Sequence, residues 1–388
     1  MELKKEPHKS VFRRINAWLH LWLGLVSGII VFIVSITGAI YTFQQEIKDA
    51  TERWRFVDAR PQPFAPPSAL LVEAQRQFPD KKPTGITYAP ADQAAAVGFQ
   101  SNVGGKRSFS VVFLNPYDAG LIRKQTTGEQ FDFFRFIIDG HRALWLPYKI
   151  GRPVVGVAVL IFVVLLITGL VLWWPKKWKR KHTRQAFRIK VNARPKRLNY
   201  DLHNVLGFYS MLIGLVLAIT GLVWSFEWVE KGVYWISAGG HPKAERAEPQ
   251  SDTTRKPMVP EAAVTNLDRA WQAVMTTIGT VKGGMYLSPD GKATDPIEVV
   301  VYNEYGNFYN RNEYLFDRYT LQPLRMPGDR FSEAALADQV LMLNYDIHVG
   351  AALGLPGKIL VFLASLICAS LPITGFIVWW NKGRKMKP

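Results

Sequence analysis

Four apolar segments constrain the fold of this chain more than any motif does. They cover residues 15–43, 153–174, 205–226 and 359–380, and none of them contains an Asp or a Glu. A helix needs about 20 apolar residues to cross the hydrocarbon core of a bilayer, which is about 30 Å thick. We therefore predict a mainly α integral membrane protein that contains a four-helix transmembrane bundle.

The charged residues are distributed asymmetrically around these segments. Residues 1–14, the loop 175–202 and the tail 381–388 together carry a net charge of +17, which is the net charge of the whole chain. Residues 44–152 and 227–358 together hold 28 basic and 28 acidic side chains. Because Lys and Arg near the ends of spans are retained in the cytoplasm, both termini and the middle loop are predicted to be cytoplasmic. Anionic lipid explains the basic loop, so no nucleic-acid partner is expected.

The two long connections contain the features of small α+β modules. Within residues 47–139 and 231–346, alternating apolar runs such as SFSVVFL and IEVVVY indicate strands, and SALLVEAQRQF and LDRAWQAVMTTI indicate helices. We predict two such modules across the membrane from the termini. The predicted order is a basic tail (1–14), helix 1 (15–43), a module (44–140), entry and helix 2 (141–174), a basic loop (175–202), helix 3 (203–228), a second module (229–346), entry and helix 4 (347–380) and a tail (381–388).

The cysteine content limits the redox chemistry that the chain can perform alone. Cys368 is the sole cysteine, which excludes an intramolecular disulfide, a Cys-based zinc site, an iron–sulfur cluster and a CxxC redox pair. Neither a GxGxxG that follows a strand nor a P-loop is present, so the chain is not expected to bind NAD(P)H or flavin. Any redox function therefore requires another cofactor and a separate electron donor.

The apolar segments repeat one another. Segments one and three align without a gap on His20 and His203, whereas segments two and four align with small gaps on His141 and His348, each followed by LPxKI, ITG and Trp-Trp. In the first alignment the shared residues are Gly24 with Gly207, Ser27 with Ser210, Ile36-Thr37-Gly38 with Ile219-Thr220-Gly221, and Phe43 with Phe226. We therefore predict a bundle built from two repeated helix pairs.

The repeat places two histidines near each face of the membrane. His20 and His203 begin their spans at the cytoplasmic end and head helical stripes of small residues that include Gly24 and Gly207. Such a stripe permits close helix packing, or it lets a flat macrocycle lie against the helix while imidazole reaches its centre. Because ionisable residues inside a membrane are costly and functional, four repeat-equivalent histidines favour haem ligation.

A bare metal ion is the competing interpretation of these histidines, although a structural zinc site would need Cys or carboxylate ligands that converge with them. Asp139, Asp201 and Asp346 each lie two residues before a histidine. A helix N-cap is the first interpretation of these carboxylates and support of the histidine is the second. The remaining histidines occupy basic or polar loops and are expected to be solvated: His8, His182 and His241.

Haem propionates need cationic or hydrogen-bonding partners at the membrane surface. Basic residues at suitable levels are Arg13, Arg14, Arg142, Lys149, Arg152 and Lys358. The preference for basic residues on the cytoplasmic side already accounts for the cytoplasmic ones. Arg142 and Lys149 are our candidates for contact with a haem.

The motifs LHLWLG at 19–24, LHNVLG at 202–207 and DIHVGAALGLPGKIL at 346–360 resemble those of the PepSY-associated transmembrane family. The similarity spans nearly the whole chain. It includes NPYDAG at 115–120 and FDRYTLQP at 316–323, which are similar to a turn of PepSY modules. In these turns Asp118-Ala119 and Thr320-Leu321 replace the usual Thr-Gly.

The family resembled includes bacterial inner-membrane ferric-siderophore reductases that contain two b-type haems. The resemblance implies that His20 and His203 are axial ligands of a cytoplasmic-side haem, and that His141 and His348 bind a periplasmic-side haem. It also implies reduction of a ferric siderophore or other ferric chelate in the periplasm, with electrons from quinol or a cytoplasmic reductase. Two alternatives remain open: a quinol-linked membrane cytochrome subunit, and a haem-free PepSY protein that binds a partner.

Overall fold

The computed structural model describes residues 11–103, 106–126, 131–175, 186–244, 249–255, 261–289, 291–325 and 330–383. The chain forms two compact units. One comprises Met1–Gln44, Phe133–Gly232 and Ile347–Pro388, and the other comprises Gln45–Asp132 and Val233–Asp346. His8, His182 and residues 176–185 of the predicted basic loop lie outside the described residues.

The helices, in chain order, are α1 (Val11–Thr42), α2 (Gln44–Thr51), α3 (Pro67–Gln77), α4 (Phe133–Ala143), α5 (Tyr148–Trp173), α6 (Pro195–Asp201), α7 (Gly207–Ser225), α8 (Glu227–Ser237), α9 (Glu261–Ile278), α10 (Leu336–Val349) and α11 (Gly354–Gly383). A π-helical segment, Leu202–Leu206, joins α6 to α7. Short 3-10 turns occur at Arg53–Arg55, Thr253–Arg255, Phe331–Glu333 and Ala351–Leu353. The strands are β1 (Lys82–Tyr88), β2 (Ala95–Val103), β3 (Lys106–Leu114), β4 (Leu121–Thr126), β5 (Gly284–Leu287), β6 (Ile297–Tyr302), β7 (Arg311–Phe316) and β8 (Pro323–Leu324).

Within the described residues, four helical stretches are long and apolar enough to cross a membrane: Val11–Thr42, Tyr148–Trp173, Pro195–Ser225 and Ala351–Asn381. The predicted number of spans is therefore confirmed, and the chain is a multi-pass membrane protein. The third stretch begins ten residues before its apolar run, because Pro195 at the start of α6 has the fixed backbone angle of a first helical position.

The spanning helices form a four-membered ring of contacts in the first unit. Helix α1 packs against α5 and α11, and α7 packs against the same two helices. Small residues line these contacts: Ser27, Ala158 and Ala364 are buried. Large apolar side chains lie on the outside, where Ile29 is 71% exposed and Leu212 is 68% exposed. Apolar surface on this scale is suited to contact with lipid acyl chains.

The second unit contains one antiparallel sheet with the strand order β4-β3-β2-β1-β5-β6-β7-β8. Strands β1–β4 come from the first long connection and β5–β8 come from the second. They join where β1 pairs with β5, with Ile86 opposite Leu287 and Tyr88 opposite Met285. The two modules expected from the sequence are therefore two halves of one sheet, because each half covers an edge strand that would otherwise expose unpaired backbone groups.

Helices α3 and α9 pack together over the junction between the two halves of the sheet. The carboxylate of Asp268 on α9 accepts hydrogen bonds from the backbone N–H and the hydroxyl of Ser68 at the start of α3. Trp271 stacks on Tyr88 with ring centroids 5.9 Å apart. Leu70, Tyr88 and Met285 are completely buried, so the two sequence segments share one hydrophobic core.

The two turns that depart from the PepSY motif each place a non-glycine residue in the left-handed conformation. Ala119 and Leu321 occupy the position where the family turn has Gly, and their φ angles are 57° and 60°. A left-handed conformation costs a non-glycine residue about 1 to 2 kcal/mol. Leu321 packs against the core of the sheet, which offsets part of this cost.

Asp317 organises the second of these turns and makes its stability depend on pH. This carboxylate is 4% exposed. It accepts hydrogen bonds from the backbone N–H groups of Asp252, Tyr319 and Thr320 and from the Thr320 hydroxyl. Burial alone would raise the pKa of Asp317, but these bonds hold it below its ordinary value. Its contribution is therefore present above the pKa of an unfolded Asp and is lost as pH falls through the folded pKa.

Asp317→Asn is expected to destabilise the chain by about 1 to 3 kcal/mol at pH 7, because bonds to a charged acceptor are replaced by weaker ones. The difference in melting temperature between variant and wild type should narrow as the pH is lowered from 7 to 3. The matched control is Asp118→Asn in the first turn, where the Asp118 side chain is 48% exposed. An Asp317→Asn variant that melts like the wild type at pH 7 would contradict this account.

Candidate functional site

The first unit brings the two histidines near the start of the repeated helices into one pair. His20 lies on α1, and His203 lies in the π-helical segment. Their ring centroids are 6.3 Å apart, and the ring planes are inclined by 76°. Nδ1 of His20 lies 2.9 Å from Oγ1 of Thr168 on α5. Nδ1 of His203 lies 3.0 Å from Oγ1 of Thr374 on α11.

The second pair is His141 on α4 and His348 on α10. Their ring centroids are 6.1 Å apart, and the planes are inclined by 65°. Nδ1 of His348 lies 2.8 Å from Oγ1 of Thr220 on α7. Nδ1 of His141 lies 2.9 Å from the carbonyl oxygen of Val34 and 3.4 Å from Oγ1 of Thr37, both on α1. Every histidine of the two pairs therefore has its Nδ1 held by another helix.

The two pairs lie at opposite ends of the bundle. Helix α1 carries His20 and, 18 residues later, Gly38, which His141 contacts. At a rise of 1.5 Å per residue these levels are about 27 Å apart. The same separation of 18 residues relates His203 to Gly221 on the repeated helix. This distance approaches the thickness of the hydrocarbon core of a bilayer.

The glycine of each Ile-Thr-Gly triplet makes room for the imidazole ring that its threonine holds. A Cβ atom at these glycines would lie 3.0 to 3.4 Å from Cε1 of the histidine, which is closer than ordinary contact. The pairs are Gly38 with His141, Gly169 with His20, Gly221 with His348 and Gly375 with His203. The triplets were found in the sequence as markers of the repeat, but their contact with the histidines was not predicted.

Two asparagines that the sequence analysis missed reinforce the first pair. Asn16 lies four residues before His20, and its side-chain amide donates to the carbonyl oxygen of Thr168 at 2.9 Å. Asn199 lies four residues before His203 and donates to the carbonyl oxygen of Thr374 at 3.0 Å. Extending the ungapped alignment upstream would have found them, since RINAWLH and RLNYDLH share Arg, Asn, Leu and His.

The spacing within each pair matches that of two imidazoles on opposite sides of one metal ion. A metal-to-imidazole bond is about 2 Å long and the nitrogen lies about 1 Å from the ring centre, so two such rings have centres about 6 Å apart. Because Nδ1 of each ring is engaged by the neighbouring helix, Nε2 is left for a metal ion. Across the described part of the chain, no group of three or more His, Cys, Asp or Glu side chains converges. Two imidazoles without further protein ligands fit haem iron better than zinc.

The expectation that Asp139, Asp201 and Asp346 cap helices is wrong. Asp139 and Asp346 lie inside α4 and α10, and Asp201 ends α6, because these helices begin well upstream. The three carboxylates also bond elsewhere. Asp139 pairs with Arg135 at 3.0 Å, the buried Asp201 pairs with Arg197 at 2.8 Å, and the buried Asp346 accepts from the backbone N–H of Phe308.

The candidate cationic residues lie at both ends of the bundle. Arg142 is exposed beside His141, and Lys149 is exposed in the first turn of α5. Arg13 donates to the carbonyl oxygen of Leu172 near the end of α5. The guanidinium of Arg152 lies 5.5 Å from the centroid of the Tyr148 ring. Arg14 is exposed, and Lys358 is partly buried in α11.

Gly24 and Gly207 face other side chains at ordinary distances. A Cβ at Gly24 would lie 3.8 Å from Cδ2 of Leu165, and one at Gly207 would lie 3.5 Å from Cδ2 of Leu371. Both leucines lie three residues before a threonine that holds a histidine. These glycines therefore border the His20 and His203 pair without contacting its rings.

The sequence matches the family model described as PepSY-associated TM region across residues 17–382. This range includes both histidine pairs and all four Ile-Thr-Gly triplets. No curated protein matches the sequence.

Proposed function

Because this chain belongs to the PepSY-associated transmembrane family, we propose that it is a di-haem reductase of the bacterial inner membrane. In this proposal electrons cross the bilayer and reduce a ferric siderophore or other ferric chelate in the periplasm. The observation that supports it is the recurrence of one arrangement at both ends of the bundle: two imidazoles with centroids 6.3 and 6.1 Å apart. When bound between such rings, haem b supplies reversible one-electron redox chemistry.

In this proposal each histidine pair binds one haem. His20 and His203 hold the cytoplasmic-side haem, and His141 and His348 hold the periplasmic-side haem. Helices from both repeats surround each pair and partly bury the imidazoles. This protects a neutral ring nitrogen as the ligand atom.

Four further residues would complete the two sites. Arg142 and Lys149 are placed to neutralise propionates at the periplasmic end, where charge-assisted bonds are strong. Gly24 and Gly207 would leave space for a macrocycle beside the cytoplasmic-side pair.

The charge asymmetry of the sequence supports the direction of this reaction. Both termini and the basic loop are proposed to be cytoplasmic, which places the sheet-containing unit in the periplasm. Each ferric ion takes up one electron. A quinol, which yields two electrons and releases two protons, would therefore serve two ferric ions. Hard oxygen ligands favour Fe(III), so reduction weakens the chelate and releases iron.

The proposal is tested with detergent-purified protein from cells that have sufficient haem. A pyridine haemochrome assay should find two b-type haems per chain. The protein is then reduced with a limiting amount of dithionite and mixed anaerobically with a ferric hydroxamate siderophore. Its absorbance should return to the oxidised spectrum while a ferrous-specific chelator reports one Fe(II) per electron. The gallium form of the same siderophore, which cannot be reduced, is the matched control.

Two results would reject this function. Colourless protein from haem-sufficient cells would leave a haem-free PepSY protein that binds a partner. A di-haem protein that remains reduced with ferric chelates but is oxidised by its partner enzyme would be a quinol-linked cytochrome subunit.

A further inference from the structure

Each threonine that holds a histidine has already used its single hydroxyl proton. In α5 the Thr168 hydroxyl lies 2.8 Å from the carbonyl oxygen of Val164, one turn earlier. The Thr374 hydroxyl lies 2.9 Å from the carbonyl oxygen of Ser370. A carbonyl oxygen can only accept, so these hydroxyls donate to their own helices and keep lone pairs for the imidazole.

The other two triplets repeat this arrangement. The Thr220 hydroxyl lies 2.7 Å from the carbonyl oxygen of Val216, and the Thr37 hydroxyl lies 2.6 Å from that of Ile33. His141 has a second acceptor as well, because the main-chain carbonyl oxygen of Val34 lies 2.9 Å from its Nδ1. Each Nδ1 therefore faces acceptors alone, and it must carry a proton to satisfy them.

We propose that the threonines of the four Ile-Thr-Gly triplets are positioning residues that hold each histidine as its Nδ1–H tautomer, with the Nε2 lone pair reserved for metal. The assignments are Thr168 to His20, Thr374 to His203, Thr220 to His348 and Thr37 to His141. The tautomer is a property of the protein alone. Its consequence for haem rests on the proposed function. A fixed tautomer and ring orientation makes the imidazole a better ligand than a freely rotating ring.

The threonines are not expected to contribute equally. His141 has the Val34 carbonyl as its nearer acceptor, whereas Thr37 is 3.4 Å away. His348 instead bonds to the Thr220 hydroxyl at 2.8 Å. Thr37→Val should therefore weaken haem binding at the His141 and His348 pair less than Thr220→Val does. Both variants act on the same histidine pair, so each is the matched control of the other.

The first experiment measures the tautomers without haem. The full-length chain, labelled with 15N at histidine, is prepared in nanodiscs from haem-deficient cells, and its imidazole 15N spectrum is recorded at pH 8. Signals are assigned with single His→Ala variants. His20, His203, His141 and His348 should be Nδ1–H tautomers, whereas the exposed His241 should follow free imidazole, which favours Nε2–H. A Nε2–H tautomer at His20 or His203 would overturn the proposal.

The second experiment measures the effect on the cofactor. Apo protein is titrated with haem, and the affinity of each site is compared in the Thr168→Val, Thr374→Val and Thr220→Val variants. Each should bind its haem about 10- to 100-fold more weakly, which is the usual effect of removing a partner of a ligating histidine. The corresponding Thr→Ser variants keep the hydroxyl and should restore the affinity. The reduction potential and the electron paramagnetic resonance spectrum of that haem should shift in the Val variants and return in the Ser variants.

The two proposals fail in different ways. Wild-type apo protein that binds no haem rejects the reductase, while the tautomers still test the role of the threonines. Wild-type protein that binds two haems, together with Val variants of unchanged affinity, potential and spectrum, rejects the positioning role and leaves the reductase intact.

Discussion

His203→Ala is expected to lower the haem content of the purified chain from two per chain to one. The variant removes one of the two imidazoles of the His20 pair, whose centroids are 6.3 Å apart. Haem b would have no covalent link to the protein, so a site left with one imidazole should lose it during purification in detergent. Haem per chain, measured by pyridine haemochrome against amino-acid analysis, reports the result.

The control for this variant is His241→Ala, because His241 is exposed and outside both pairs. The retained haem of His203→Ala should disappear when His348→Ala is added, since that change removes a ligand from the other pair. An unchanged stoichiometry in His203→Ala, with normal folding, would contradict the assignment of the four histidines.

Gly151→Ala is the second substitution for which we expect a large effect, both on haem content and on stability. A Cβ at Gly151 would overlap the main-chain carbonyl of Ala143, so the close approach of α5 to the end of α4 requires glycine. No rotamer change relieves an overlap with backbone, and the turn between the helices must open. His141 lies two residues before Ala143, so opening the turn displaces this proposed ligand. We expect loss of the haem at the His141 and His348 pair and destabilisation of about 2 to 4 kcal/mol.

The effect of Gly151→Ala is measured as haem per chain and as melting temperature in detergent. Gly232→Ala is the matched control, because a Cβ there meets nothing within 4 Å and Gly232 lies inside α8. That control should keep both haems and gain up to about 1 kcal/mol from helix propensity. A Gly151→Ala protein with both haems and the wild-type melting temperature would show that the turn tolerates movement.

The four spans could be predicted because they depend on local composition. An apolar run of about 20 residues has few alternatives to a transmembrane helix. The grouping of the histidines could also be predicted, since successive spans reverse direction and the repeat places His20 with His203 at one end. The structure brings these residues together as expected, and their binding of haem remains a prediction.

The contacts around the histidines could not be predicted because they depend on the rotation and depth of neighbouring helices. In the sequence, Thr168 and Gly169 lie about 150 residues from His20. Their side of α5 faces His20 only because α1 and α5 pack with one particular register. The capping role expected for Asp201 fails for a local reason, because its helix begins at Pro195 and Asp201 pairs with Arg197 four residues earlier.

The order of strands in the sheet of the second unit could not be predicted from the sequence either. Alternating apolar residues predicted strands in both long connections, but the pairing of Ile86 with Leu287 joins segments about 200 residues apart. Alternation identifies the face of a strand that is buried, and it contains no information about which strand lies beside it.

The sequence by itself determined that this chain has four spans long and apolar enough to cross a membrane, that its net positive charge lies in the segments at one end of these spans and that four histidines recur in a repeated pattern. These properties follow from composition and spacing along the chain. Only the tertiary structure decided that a threonine lies beside Nδ1 of each imidazole, that a glycine makes room for the ring and that both long connections build one sheet. Such contacts join residues that are distant in sequence, and packing selects them from many arrangements with the same local pattern.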